Sequence, residues 1–262
     1  MTIQREYPAG TWAPAPGAAS QARRIRAQAL ADVRATLRNG EQLLLTLVIP
    51  LLLLVGLTLF DAVPTDPGQS AIDVVAPSII ALAVMSTAFT SLAIATGFDR
   101  RSGALKLLGT TPLTRGQLVV ARALSVLVIE VAQIVLIALV AGFLGRRPSG
   151  NPLAALILVI LGTLAFAAWG VTLAGLLRAE ATLAVANGIY LLLMLGGGVV
   201  IPQSSYPPAL GVVVSLLPSG ALAGGLREAM SLGGGWPLAA MAVLIVWSAV
   251  GYATAARTFR WE

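Results

Sequence analysis

Four polar residues stand within predominantly apolar runs. Glu130 and Gln133 stand three positions apart in the stretch 118–144, and Asn187 and Tyr190 repeat that spacing in 181–201. In a helix each pair shares one face. A charged carboxylate in the middle of a bilayer costs about 2.5–3.5 kcal/mol on insertion scales, so Glu130 is expected to face a bundle interior, a cavity or a partner. Two roles fit these four residues: contacts along a substrate path, or hydrogen-bonded struts between helices. Other chemistry is excluded by composition, because the chain has no cysteine and no histidine. Thiolate nucleophiles, disulfides, the usual haem and metal ligands and the best neutral-pH proton shuttle are all missing, and no metal site is expected. The single lysine, Lys106, follows Ala104-Leu105 and no glycine-rich loop, so the chain carries no Walker-type phosphate cradle and cannot hydrolyse ATP by itself.

A second concentration of polar residues lies between two apolar runs, in FDRRSGALKLLGTTPLTRGQLVVAR from Phe98 to Arg122. Gly103 frees the chain to turn, Ala104 to Leu108 can form one or two helical turns, and Thr110-Thr111-Pro112 stops them. Thr114 and Gln117 match a capping box that starts the next helix. A short helix held between two longer ones by rigid turns transmits force, which is what a docking element for a separate motor needs. The competing reading of the same residues is a solvated basic loop.

The elements that must position these residues follow from composition. Hydrophobic residues make up 57% of the 262 and charged residues 11%. Soluble domains carry about 25% charge, so neither a water-soluble enzyme nor a disordered chain is expected. Six stretches, roughly 42–60, 72–97, 118–144, 153–177, 181–201 and 237–256, are apolar enough to cross a hydrocarbon core, which needs about 20 residues each. They lack the alternation of a barrel strand, and backbone amides in lipid must be satisfied internally, so the fold class expected is an all-α membrane protein with six transmembrane helices. Residues 1–19 are Pro-, Ala- and Gly-rich and are expected to be a mobile tail, with no signal peptide and no cleavage. Residues 20–40 read as an amphipathic interfacial helix between Ser20 and Gly40, with Ile25, Ala29, Leu30, Val33 and Leu37 on one face, Arg23, Arg24, Arg34 and Arg38 opposite, and Arg26 intruding. Residues 41–262 form the six-helix domain.

Before the last span, Pro207-Pro208 opens a nine-residue apolar segment at 209–217, too short to cross, and Pro218 breaks it from SGALAGGLREAM. This is expected to be a re-entrant helical hairpin on the outer side. Gly196-Gly197-Gly198 and Gly220 to Gly224 allow close helix approach, within the chain or at a dimer interface. Placing both termini in the cytoplasm leaves only Arg146, Arg147 and Arg227 outside, with the other fourteen of the seventeen basic residues inside. Arg146-Arg147 is the local violation. Because the arginines border apolar spans, anionic lipid explains the basic balance and nucleic acid does not.

The Asp-Arg-Arg-Ser-Gly-Ala-Leu…Leu-Leu-Gly-Thr-Thr-Pro-Leu-Thr-Arg segment resembles the acidic-basic-Gly-Thr-Leu…Leu…Thr-Pro signature of type-2 ATP-binding-cassette exporter permeases, drug-efflux and polysaccharide-export subunits among them. The basic amphipathic leader, the six spans and the Pro-containing hairpin before the last of them extend the likeness over residues 20–256. The resemblance implies an elbow helix at 20–39 and a coupling helix near 103–112 that rests in a cleft of an ATPase subunit. The residues it assigns to that contact are Asp99, Arg100, Arg101, Gly103, Ala104, Leu105, Lys106, Leu107, Leu108, Thr111 and Pro112. Ala104 stands where the family often has Thr, and Lys106 where it often has an acidic residue, which changes the charge offered to the partner. The implied partners are ATP-binding-cassette ATPase subunits, a second permease subunit (identical or related) and membrane lipids. ATP and Mg would be bound by the ATPase and no cofactor by this chain. The implied location is the plasma (inner) membrane.

Three classes of function are therefore distinguished. In the first the chain is a non-enzymatic export permease for a hydrophobic or amphipathic cargo, drug efflux and antibiotic resistance included. In the second it is a stand-alone ion-coupled carrier using Glu130, although the chain shows neither repeat symmetry nor histidine. In the third it is a membrane-embedded lipid-processing enzyme, for which Asp61 and Asp66 are the nearest carboxylate pair, expected on the wrong side.

Overall fold

The computed structural model describes residues 19–60, 70–147 and 149–258, together with Gly17 and Val63. The tail at 1–16, Asp61 and Asp66 lie outside the described residues. All regular structure among those described is helical. The elements are α1 (Gln21–Arg38), α2 (Gly40–Leu59), α3 (Ala71–Val84), a π-helical segment (Met85–Ser91), α4 (Leu92–Arg101), α5 (Ala104–Gly109), α6 (Arg115–Phe143), α7 (Pro152–Leu176), α8 (Ala179–Gly196), a 3-10 turn (Gln203–Ser205), α9 (Pro208–Leu216), α10 (Pro218–Ala229) and α11 (Leu238–Thr258). Five helices are long and apolar enough to cross a membrane: the α3-to-α4 rod at 71–101, then α6, α7, α8 and α11.

The boundaries follow local chemistry. Thr114 caps α6 as a full capping box: the Gln117 amide donates to Thr114 Oγ1 at 3.3 Å, and the Thr114 amide to Gln117 Oε1 at 3.2 Å. Asn151 Oδ1 accepts from the Ala154 amide at 3.0 Å, and Pro152 occupies the first turn of α7, where it loses nothing. Pro218 separates α9 from α10, which meet at 97°. Two boundaries differ from expectation. Gly40 does not end the first helix; Asn39 does, and Gly40 opens α2. The fifth apolar run leaves the helix at Gly196, five residues early, because Arg227 and Ser219 take the carbonyls of 197–199.

The core sits around α7, apolar on all sides, with the π segment, α4, α10 and α11 packed against it. Phe166 meets Phe89 edge-on at 6.4 Å, and Trp169 meets Trp247 at 5.6 Å. Trp169 Nε1 also donates to the Trp247 carbonyl at 3.2 Å. The α9–α10 corner is tightest at Gly220, where a Cβ would lie 2.0 Å from the Val214 carbonyl oxygen. Gly220→Ala is expected to open this corner and cost about 3 kcal/mol. Gly188→Ala, with nothing within 4 Å, is the matched control and is expected to leave the melting temperature unchanged or raise it.

Helix α1 packs along the first half of α6 by a ridge that only partly coincides with its apolar face. Its half-buried ridge is Arg24, Gln28, Asp32 and Thr36 beside Ile25, Ala29 and Val33, while Leu30 and Leu37 are exposed. The polar ridge turns inward because it has partners there.

Candidate functional site

The segment between α4 and α6 is a braced knob. Gly103 has φ 81°, a conformation L side chains rarely adopt, and it turns the chain from α4 into α5. Leu105 is fully buried beneath α5, whereas Leu107 is 72% exposed at its tip, flanked by exposed Lys106. Thr110 and Thr111 hydroxyls cap the end of α5, donating to the Leu107 and Leu108 carbonyls at 2.8 and 2.6 Å. Arg24 of α1 donates to the Pro112 carbonyl, which ties α1 to the far side of the knob.

The charged residues at the base of the knob have partners within the chain. Arg100 Nη1 donates to the carbonyls of Ala174, Gly175 and Leu177 at 3.1, 2.8 and 3.4 Å, closing the C-terminus of α7, where a cation is favoured by the helix dipole. Arg101 pairs with Glu180 at the start of α8, both exposed. Asp99 Oδ2 lies 2.5 Å from Arg122 Nη2, and Arg122 Nε lies 3.4 Å from Asp32 Oδ2 of α1. A single guanidinium, only 7% exposed, therefore joins α1, α4 and α6. Burial pushes the Asp32 carboxyl above its ordinary range, and the Arg122 charge only partly offsets this. Of the residues assigned to docking, Asp99, Arg100, Arg101 and Leu105 thus have partners in this chain, while Lys106, Leu107, Thr111 and Pro112 present outward. Sequence reasoning missed Asp32 and Arg122; the available signal was that Asp32 is the sole acidic residue of the 20–40 segment.

The four polar residues of the long helices separate. Glu130 is 1% exposed in the seam between α6 and α7, where Oε2 contacts the Thr163 hydroxyl and Oε1 has no hydrogen-bond partner among the described residues. Gln133 is a strut: its Nε2 donates to the Thr46 carbonyl of α2 at 2.8 Å, and its Oε1 accepts from Thr87 of the π segment at 3.2 Å. Asn187 and Tyr190 instead come together in a cleft of about 520 Å³ between α2, the π segment and α8, with Ser86, Thr90 and Ser91 on its wall. A second chamber of about 260 Å³ adjoins it through Asn39, Thr46 and Ser91 and reaches Asp32, Asp99 and Arg122. Glu130 lines neither.

At the opposite end of the bundle Arg146 has a structural task. Its Nη2 donates to the Met230 carbonyl at 3.0 Å, closing α10, and its Nε lies 3.6 Å from Asp73 in the first turn of α3. Burial lowers its pKa, and Asp73 partly restores it. Arg227 donates to Ser78 Oγ at 3.1 and 3.0 Å and to the carbonyls of Gly198 and Val199, fastening α10 to α3 and to the end of α8. Gly197, Gly198 and Gly220 are likewise used within the chain. No group of three or more acidic side chains able to hold a metal occurs among the described residues.

The chain is thus a bundle of apolar helices with a braced knob at one end and polar clefts between its helices. The family model described as ABC-2 family transporter protein matches residues 60–257, and the chain belongs to that family. It is a multi-pass membrane subunit of the ATP-binding-cassette transporter type, whose general partner is an ATP-binding-cassette ATPase. No curated protein matches the chain.

Proposed function

We propose that this chain is the permease subunit of an exporter, moving a hydrophobic or amphipathic substrate outward on energy from ATP hydrolysed by a separate subunit docked on the 99–117 loop. Six spans are read here: the five long helices and α2. On that reading α1 is the elbow on the inner surface, α9 and α10 are a re-entrant hairpin on the outer side, and both termini are cytoplasmic. A second permease subunit, identical or related, completes the path.

The observation that carries this reading is the knob itself. A one-and-a-half-turn helix, fixed by Gly103, Leu105, two threonine caps and Arg24, presents an apolar tip at Leu107. An unpartnered solvated loop has no use for that bracing. Movement of the ATPase changes the orientation of α5, and the ion cluster below passes the change to α1, α4 and α6. Transport then requires substrate affinity to differ between the two states. The test is purification of the tagged chain from its native membrane. Retention of an ATPase bearing a Walker A motif is expected, and a complex without one would overturn the reading. Ion-coupled transport through Glu130 is disfavoured because that carboxyl lines neither chamber.

A further inference from the structure

The π-helical segment at Met85–Ser91 is the one departure from α geometry within the described rod at 71–101. Such segments are rare and concentrate at functional sites, and irregular backbone at membrane depth is tolerated where it borders a cavity or buried protein. Here the segment carries four hydroxyl side chains in seven residues. Ser86, Thr90 and Ser91 line the 520 Å³ cleft, and Thr87 and Ser91 line the adjoining chamber. Across the cleft stand Asn187 and Tyr190, with Ile49, Pro50 and Leu82 supplying an apolar wall. Thr90 is 8% exposed, and its hydroxyl has no hydrogen-bond partner among the described residues. A buried hydroxyl left unsatisfied costs about 1–3 kcal/mol, a cost relieved when the wall beside Thr90 shifts to admit a ligand able to donate and accept.

The electrostatics narrow the ligand class. No Asp, Glu, Lys or Arg lines the cleft among the described residues. The adjoining chamber holds two carboxylates against one guanidinium, a balance unfavourable to an anion. We infer that the cleft binds a neutral amphiphile of the alkyl-polyol class, its hydroxylated head read by the Ser86–Ser91 hydroxyls, Asn187 and Tyr190 and its hydrocarbon stem lying against Ile49 and Leu82. This deepens the transport reading by naming the chemistry of its cargo. It stands on the cleft alone, so it is testable without the ATPase.

The test is photolabelling of the purified full chain in nanodiscs with three diazirine probes that share one alkyl stem: a glucoside, a phosphate and a stem without a head group. The glucoside is expected to label residues 82–91 and 187–190 at least tenfold more than either of the others. Thr90→Val and Asn187→Leu are each expected to reduce that labelling about fivefold or more, while Asn151→Asp, remote from the cleft, leaves it unchanged. Circular dichroism and melting of each variant confirm folding. Equal labelling by the phosphate or headless probe, labelling spread over the lipid-facing helices, or insensitivity to both cleft variants would overturn the proposal. Selective labelling in a protein that copurifies with no ATPase would leave the cleft's assignment standing and remove the exporter reading instead.

Discussion

Leu107→Asp is expected to abolish stimulation of the partner's ATPase by transport substrate, a loss of tenfold or more, while leaving the bundle folded. The reason is the contrast between neighbours. Leu107 is 72% exposed, so an aspartate there meets water in the isolated chain and changes stability by no more than about 0.5 kcal/mol. In the proposed complex it would place a charge on the apolar tip. Leu105→Asp, by contrast, buries a carboxylate at a fully enclosed position and is expected to unseat the knob and lower the melting temperature. Gly103 separates backbone from surface effects. At φ 81° a β-branched residue is strained by about 1–3 kcal/mol, so Gly103→Val should uncouple the complex, whereas Gly103→Asn, tolerated in this region, should retain most coupling. Stimulated ATPase activity and melting curves measured on the same preparations decide the matter: unchanged stimulation in Leu107→Asp would remove the knob from the docking role.

Arg122→Met is expected to be the most destabilising single substitution in the lower half of the bundle, by about 3–5 kcal/mol, since it strands Asp32 and Asp99 without their shared cation. Asp32→Asn should be close to neutral, and the triple variant Asp32→Asn/Arg122→Met/Asp99→Asn should recover most of the loss, a non-additivity characteristic of one network. The pH dependence has a definite sign. The Asp32 carboxyl is raised in the folded state, chiefly by burial. Its contribution to stability is therefore complete below the ordinary carboxylate value and is lost as pH climbs through the raised one. Helix α1 should hold more firmly to α6 on acidification into that window, and Asp32→Asn should flatten the response. Limited proteolysis between α1 and α2 across pH reads this directly; wild type and variant with identical profiles would contradict it.

Much of the architecture was legible because it is periodic or punctuated. The apolar runs became helices close to their expected limits, the Thr114–Gln117 box formed as its spacing required, and Pro218 broke α9 from α10. What escaped was long-range pairing. Arg146, which the sequence reading expected to break the positive-inside rule, donates to a carbonyl 84 residues away at Met230. Arg100 reads as a docking charge until the end of α7 is seen beneath it. The two faces of α1 were assigned by hydropathy, but Asp32 and Arg24 have partners on α6 and the knob, and those partners decide which ridge turns in. The π segment has no sequence signal at all, since MSTAFTS is compatible with an ordinary helix.

The joint made by Arg100 also braces two walls of the cleft against each other. By gripping the last carbonyls of α7, and with Arg101 and Glu180 locking alongside, it bolts α4 to the corner from which α8 departs. Two of the three panels of the cleft are thus joined at one end. The third, α2, carries a proline at position 50, receives the Gln133 amide at the Thr46 carbonyl and sinks Leu54 into the core.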